Sequence, residues 1–139
     1  MRPALRLLLL TLIFTAAAPP SHAQSKDHWK HDVSATDRAR TNPLSGQLAA
    51  AEAGAKLYSE HCSRCHGDDA NGRGKKPTLR GTDVTSAIDG ELFWILKNGE
   101  LIHSMPAWSQ LPEVQRWQLI TYLRSLQVPA APTTSAPPQ

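Results

Sequence analysis

Cys62-Ser63-Arg64-Cys65-His66 puts two thiols and an imidazole within five residues. This C-x-x-C-H spacing is the one by which a chain attaches a haem covalently. Each thiol adds to one vinyl group of the porphyrin. The imidazole directly after the second thiol then reaches the iron from the same side. Three other chemistries also use a pair of cysteines. A thioredoxin-type dithiol needs a strand ahead of it in a βαβ setting, whereas the residues ahead of Cys62 have helical periodicity. A structural zinc site needs four ligands, often as two pairs. The chain has only these two cysteines, and His61 is too near to act as the distant partner. A disulfide across two residues has poor geometry.

A second iron ligand has two candidates. Met105 lies 39 residues after His66, directly before Pro106, in a stretch without periodicity. A thioether is a normal haem ligand, and a lone methionine is otherwise core filler. His103 is the alternative, and a His/His pair would lower the potential relative to His/Met. His28 and His31, next to Trp29, are a weaker candidate for a metal or docking site. His61 is expected to point outward.

Helices must position these residues. Leu48, Ala51, Ala55, Tyr58 and Cys62 follow at spacings of three and four, one face of a helix for which Ser45 is a plausible N-cap. Gly54 lies inside that helix, where glycine costs about 1 kcal/mol against alanine, so a close helix–helix contact is expected there. Leu119, Tyr122, Leu123 and Leu126 define a last helix over 112–126, with Pro112 and Glu113 suited to its first turn. A short helix is predicted over 91–98, capped by Asp89 and ended by Gly99. Residues 71–83 hold four glycines or prolines and read as loop. No convincing strand is found, so the fold class is all-α.

Gly54-x-x-x-Tyr58-x-x-x-Cys62-x-x-Cys65-His66-Gly67, then Pro77-x-Leu79, Met105-Pro106 and Leu119-x-x-Tyr122, resembles the class I cytochrome c family. The likeness extends over about residues 53–126 and is strongest to small single-haem bacterial carriers and to cytochrome c modules of respiratory complexes. It implies three to five helices wrapped around one covalent haem c, with the first and last crossing near Gly54 and Tyr122. It implies Met105 as the distal iron ligand opposite His66. By the same likeness the Pro77 carbonyl accepts the other ring N–H of His66, and Leu79 packs on the haem face. Phe93, Trp94 and Leu96 close the pocket, and Trp94 donates to a propionate.

The chain opens with Arg2 and Arg6, an apolar run of 12 residues from Leu7 to Ala18, and Ser21-His22-Ala23. That is the pattern of a secretory signal peptide cleaved after Ala23. As a helix the run reaches only about 18 Å, short of a ~30 Å hydrocarbon core, so no stable membrane insertion is expected. Removing Arg2 and Arg6 leaves 13 basic side chains against 12 acidic, a net charge of +1. Nothing in that balance implies nucleic acid. Residues 24–43 are polar, with Val33 the one aliphatic residue larger than alanine, and are expected to be flexible. The cytochrome c domain is expected over 44–128 and a disordered Pro/Ala-rich tail over 129–139.

The resemblance and the export pattern together imply a periplasmic protein, since haem is joined to such chains outside the cytoplasm. Its expected work is to carry one electron at a time between redox partners of a respiratory or dehydrogenase chain. A monomer with transient redox-protein partners is expected, and no enzymatic turnover, because two axial ligands leave no open iron position. Asp68, Asp69, Arg73, Lys75 and Lys76 form a charged loop that is read as solvated. The alternatives are a dedicated cytochrome subunit of a dehydrogenase or terminal oxidase, and a haem sensor or enzyme in which Met105 leaves the iron.

Overall fold

The structure is a computed structural model that describes residues 28–127. The expected signal peptide and the 129–139 tail lie outside the described residues. A 3-10 turn over His28–Asp32 is followed by helices α1 (Ala35–Arg38), α2 (Leu48–His61), α3 (Ser63–His66), α4 (Thr82–Thr85), α5 (Asp89–Asn98) and α6 (Glu113–Ser125). Strand pairing among the described residues is limited to two isolated bridges, Arg73 to Lys76 and Glu100 to Met105.

The fold turns on the crossing of α2 and α6. A Cβ on Gly54 would run into the Gln118 carbonyl and come within 2.8 Å of the Tyr122 Cβ. Only a glycine lets the two backbones approach this closely. The Tyr58 and Tyr122 rings then meet with centroids 5.3 Å apart. Leu119, Ile120 and Leu123 bury the inner face of α6. Leu48, expected on the buried face of α2, is 75% exposed. It occupies the first position of the helix, ahead of the crossing, so no neighbour covers it. Ser45 is not the cap of α2. It sits inside a turn closed by Gln47 N–H donating to the Leu44 carbonyl at 3.1 Å, and Gln47 takes the cap position.

Helix α5 starts two residues earlier than the sequence predicts. Ile88 is its cap residue, and the Glu91 carboxylate accepts from the Ile88 N–H at 3.1 Å. Asp89 instead accepts from Arg124 Nε at 2.8 Å, while the same guanidinium donates to the Val84 and Ala87 carbonyls. One side chain of α6 thus fixes the entry to α5 and the end of α4.

Residues 28–43, the described part of the 24–43 segment expected to be flexible, pack against the body of the protein. Trp29 and Val33 are buried in the core. Ser34 caps α1 by accepting from the Asp37 N–H at 3.1 Å. Arg38 pairs with the buried Glu91 and also donates to the Lys30 and Val33 carbonyls. Asn42 donates to the Thr121 hydroxyl at 3.0 Å. At Gly90 the backbones of α1 and α5 approach so closely that a Cβ would strike the Asp37 carbonyl. Few apolar residues are needed because the segment's polar groups are satisfied against the body of the protein.

Candidate cofactor site

The C-x-x-C-H segment is itself helical. Cys62 ends α2, and Ser63 to His66 form the single turn α3, with the His66 N–H bonded to the Cys62 carbonyl at 2.9 Å. Gly67 then leaves the turn with a φ of 81°, in the left-handed region that favours glycine. The Tyr58 hydroxyl donates to the Gly67 carbonyl at 2.6 Å. Burial pushes the Tyr58 pKa up to about 12, so it acts as a neutral donor that pins the end of the motif.

Cys62, Cys65 and His66 line a cavity of about 620 Å³. Leu79 and Val84 form part of its wall, with Leu92, Ile95 and Leu96 of α5 and Leu119 and Leu123 of α6. Protein interiors pack densely, so an apolar space of this size inside a chain this short is room for a large, flat, mostly apolar group. The His66 Nδ1 lies 3.0 Å from the Pro77 carbonyl oxygen. That partner keeps the proton on Nδ1 and leaves Nε2 with a lone pair for a metal.

Met105 lines the same cavity on a short loop. The Glu100 N–H donates to the Met105 carbonyl at 2.9 Å and the Met105 N–H donates back at 2.8 Å. Gly99, with a φ of 69°, lies so near the Met105 and Pro106 backbones that a Cβ would sit 2.6 Å from the Met105 oxygen. Trp108 N–H donates to the Leu96 carbonyl at 2.8 Å, which fastens the far end of the loop to α5. Across the mouth, Lys76 Nζ donates to the His103 carbonyl at 2.7 Å.

The cysteines are free, Cys62 half-buried and Cys65 exposed. Burial, with Cys65 adding to it, pushes the Cys62 thiol up to about 12. A thioredoxin-type dithiol needs the opposite, a thiolate at neutral pH.

Of the residues singled out in the sequence, Tyr58, Cys62, Cys65, His66, Pro77, Leu79, Leu96 and both candidate iron ligands, His103 and Met105, come together at the cavity. Trp94 does not, and neither does Phe93. On a 3.6-residue helix, Leu92, Ile95 and Leu96 share one face, which leaves residues 93 and 94 turned away. Phe93 instead stacks on Trp117 with centroids 4.2 Å apart. Trp29 and Trp108 are the tryptophans at the cavity. His61, expected to point out, also lines the cavity, its ring 5.0 Å from that of Trp108. The 3.6-residue period of α5 was the sequence signal that separates Trp94 from Leu92, Ile95 and Leu96. No local pattern marked Trp29.

Helices enclosing such a cavity, with a C-x-x-C-H turn in its wall, define a domain of the c-type cytochrome class. Residues 49–123 match the family model described as cytochrome c oxidase, cbb3-type, subunit III, and the chain belongs to this family. It is 32% identical over 93 residues to the cbb3-type cytochrome c oxidase subunit CcoP of Azospirillum brasilense, covering 61% of this chain and 31% of that protein. It is 37% identical over 73 residues to the quinohemoprotein alcohol dehydrogenase ADH-IIG of Pseudomonas putida, covering 52% of this chain and 10% of that one. The chain thus spans under a third of the length of the first relative and a tenth of the second. The family implies haem with its iron as the cofactor. The cavity fits that group in size, in apolar lining and in donor chemistry.

Proposed function

We propose that this chain is an exported c-type cytochrome with a single haem, carrying one electron at a time between periplasmic redox partners. Cys62 and Cys65 would attach the haem as thioethers, and His66 and Met105 would hold its iron. The observation that carries this reading is the His66 imidazole, held through Nδ1 by Pro77 in the cavity that Met105 also lines. When bound, haem iron supplies the one-electron couple.

The protein's own residues do three things. Pro77 orients the His66 ring and raises its basicity. The Glu100–Met105 bridge and Gly99 hold the Met105 loop in one shape. Leu79, Leu92, Ile95 and Leu96 keep water from the cavity, which favours the less charged, ferrous state. Lys75 and Lys76 lie at the cavity, where their ammonium groups suit the carboxylates of a haem. Leu101 and Ile102 are 90% and 77% exposed on the Met105 loop and offer partners a small apolar contact. With His66 and Met105 both holding the iron, the bound haem would offer no open position, so substrate turnover at iron forms no part of this reading. Among the described residues no helix is long and apolar enough to cross a membrane, which suits a soluble carrier after removal of residues 1–23.

A second reading is a dedicated cytochrome subunit. It is favoured by the relatives, whose names are those of an oxidase subunit and a quinohemoprotein dehydrogenase and whose chains are far longer. A stable complex on purification from its own cell would select this reading, and a free monomer would select the carrier.

Met105→Ala tests the ligand assignment. A thioether favours ferrous iron, so the variant is expected to lower the potential and to bind carbon monoxide or cyanide readily, while His103→Ala does neither. High-spin haem in His103→Ala with a silent Met105→Ala would move the ligand to His103. An intact mass of haem-loaded protein tests the thioether bonds, the haem number and cleavage after Ala23 together.

A further inference from the structure

His28, Glu100 and His103 form a cluster at the edge of the cavity, which Glu100 and His103 also line, and none of the three holds the cofactor in the proposed reading. Each offers one ligand atom, and the three atoms lie within 4.8 Å of one another. They come from two separate parts of the chain, the 3-10 turn at residue 28 and the loop that leads to Met105. Glu100 stands between the imidazoles. Its Oε1 is 2.9 Å from His28 Nε2 and its Oε2 is 2.9 Å from His103 Nδ1.

Of these two contacts, His103 Nδ1 to Glu100 Oε2 is a hydrogen bond, and His28 Nε2 to Glu100 Oε1 is not. Glu100 Oε1 is buried and has no hydrogen-bond partner of acceptable geometry, although His28 Nε2 is close. A buried carboxylate oxygen left this way is destabilising. The imidazole rings are 5.5 Å apart and tilted by 48°, so they do not stack on each other. His28 Nε2 and Glu100 Oε1, close together without donor alignment, suit a shared cation better than a shared proton.

We propose that His28, Glu100 and His103 bind a divalent cation of the zinc class. Two imidazoles and one carboxylate are a familiar three-ligand set for zinc, with water in the fourth position. Zinc–ligand bonds of about 2.0–2.2 Å at tetrahedral angles put the donors about 3.3–3.5 Å apart. The present 2.9 Å contacts therefore need only small side-chain rotations. The side chains of His28 and His103 are 36% and 50% exposed, which leaves the site open to solvent and to the fourth ligand. Both sides of the site are anchored. Burial of Trp29 and Val33 fixes the turn that carries His28, and the Glu100 backbone is paired with that of Met105. A bound cation joins the N-terminal turn to the Met105 loop and stiffens the loop that carries the proposed axial ligand.

Zinc titration of the untagged, haem-loaded protein by calorimetry at neutral pH tests this. Wild type is expected to take one zinc ion and to melt at a higher temperature with it. His28→Ala, Glu100→Gln and His103→Ala are each expected to weaken binding at least tenfold. His31→Ala, a neighbouring exposed imidazole outside the cluster, is expected to leave it unchanged. Copper(II) is expected to displace zinc, and a millimolar excess of magnesium is not. Circular dichroism checks each variant's fold, with His103→Gln and His28→Gln replacing any alanine variant that loses helix. The proposal fails if wild type takes up no zinc, if the cluster variants bind it as wild type does, or if His31→Ala weakens it equally. It also fails if only haem-free protein binds zinc, which would make the two imidazoles part of the haem surroundings. The proposal rests on His103 being free of the iron: a high-spin haem spectrum in His103→Ala would overturn it, whereas loss of zinc binding with that spectrum unchanged supports it.

Discussion

The two sides of α5 are finished in different ways. On one side Phe93 is closed in by protein alone. Trp117 stacks on it, the Arg40 guanidinium lies 4.0 Å from its ring centre, and Arg116 lies 4.8 Å away. On the other side Leu92, Ile95 and Leu96 face the cavity with His66 and Met105. One helix therefore belongs both to a self-sufficient core and to a wall that needs a cofactor to complete it. The first region should survive without the cofactor's contacts only as far as the second lets the whole domain hold together.

The strongest way to break this comparison is to empty the cavity side. His66→Ala, or expression without haem attachment, is expected to leave a largely unfolded, protease-sensitive chain, because a domain this small has little core to spare. Thermal melting followed by circular dichroism checks it. An apoprotein with a cooperative transition like that of the holoprotein would mean that the self-sufficient side carries the fold alone.

Phe93→Ala attacks the other side. The loss should be about 3–5 kcal/mol, typical of a buried aromatic truncated to alanine. The haem spectrum should stay that of wild type, since Phe93 does not line the cavity. Denaturant melts of the holoprotein measure the first expectation and absorption spectra the second. A changed spectrum would mean that the two sides of α5 are coupled.

Gly54→Ala affects the α2–α6 crossing that both sides share. A methyl group there meets the Gln118 backbone, so helix separation should cost about 1–3 kcal/mol, as overpacking does. Both the denaturation midpoint and the redox potential should shift, whereas Phe93→Ala should move the midpoint alone.

The smallest effect lies in the acid limb of stability. The Arg40 side chain, followed by the Trp117 N–H, holds the Glu113 carboxyl below its ordinary value of 4.5. A lowered folded pKa adds stability that is full above the unfolded value and disappears as pH falls through the folded one. Arg40→Ala should therefore flatten the fall in melting temperature below pH 4.5. The pair is largely solvent-exposed, so the change should be slight. A change at pH 7 that persists unaltered at pH 3 would assign the role of Arg40 to its contact with Phe93 instead.

Much of this was readable from residue types. The C-x-x-C-H spacing, the interior glycine of α2, the leucine repeat of α6 and a lone methionine before Pro106 are local patterns, and local patterns determine helix faces and ligand candidates. The family match over residues 49–123 and the strand-poor helical fold agree with that reading. The errors also have local causes. The resemblance alone puts Trp94 at the pocket, whereas on α5 it lies away from the face of Leu92, Ile95 and Leu96 that lines the cavity. The polar composition of residues 24–43 suggests flexibility, and composition does not reveal that Arg38 meets Glu91 or that Asn42 meets Thr121.

By itself, then, the sequence determined the attachment motif, the three longer helices α2, α5 and α6 and a short choice of iron ligands, because each rests on spacings within about forty residues. The tertiary structure alone decided which side of α5 faces the cavity wall. It alone brought Trp29 and Trp108 to the cavity and set His28 beside Glu100 and His103. Those outcomes depend on pairs of residues up to 79 positions apart, such as Asn42 and Thr121. Such pairs meet only once α2 and α6 have crossed at Gly54, and no local periodicity encodes where that crossing puts them.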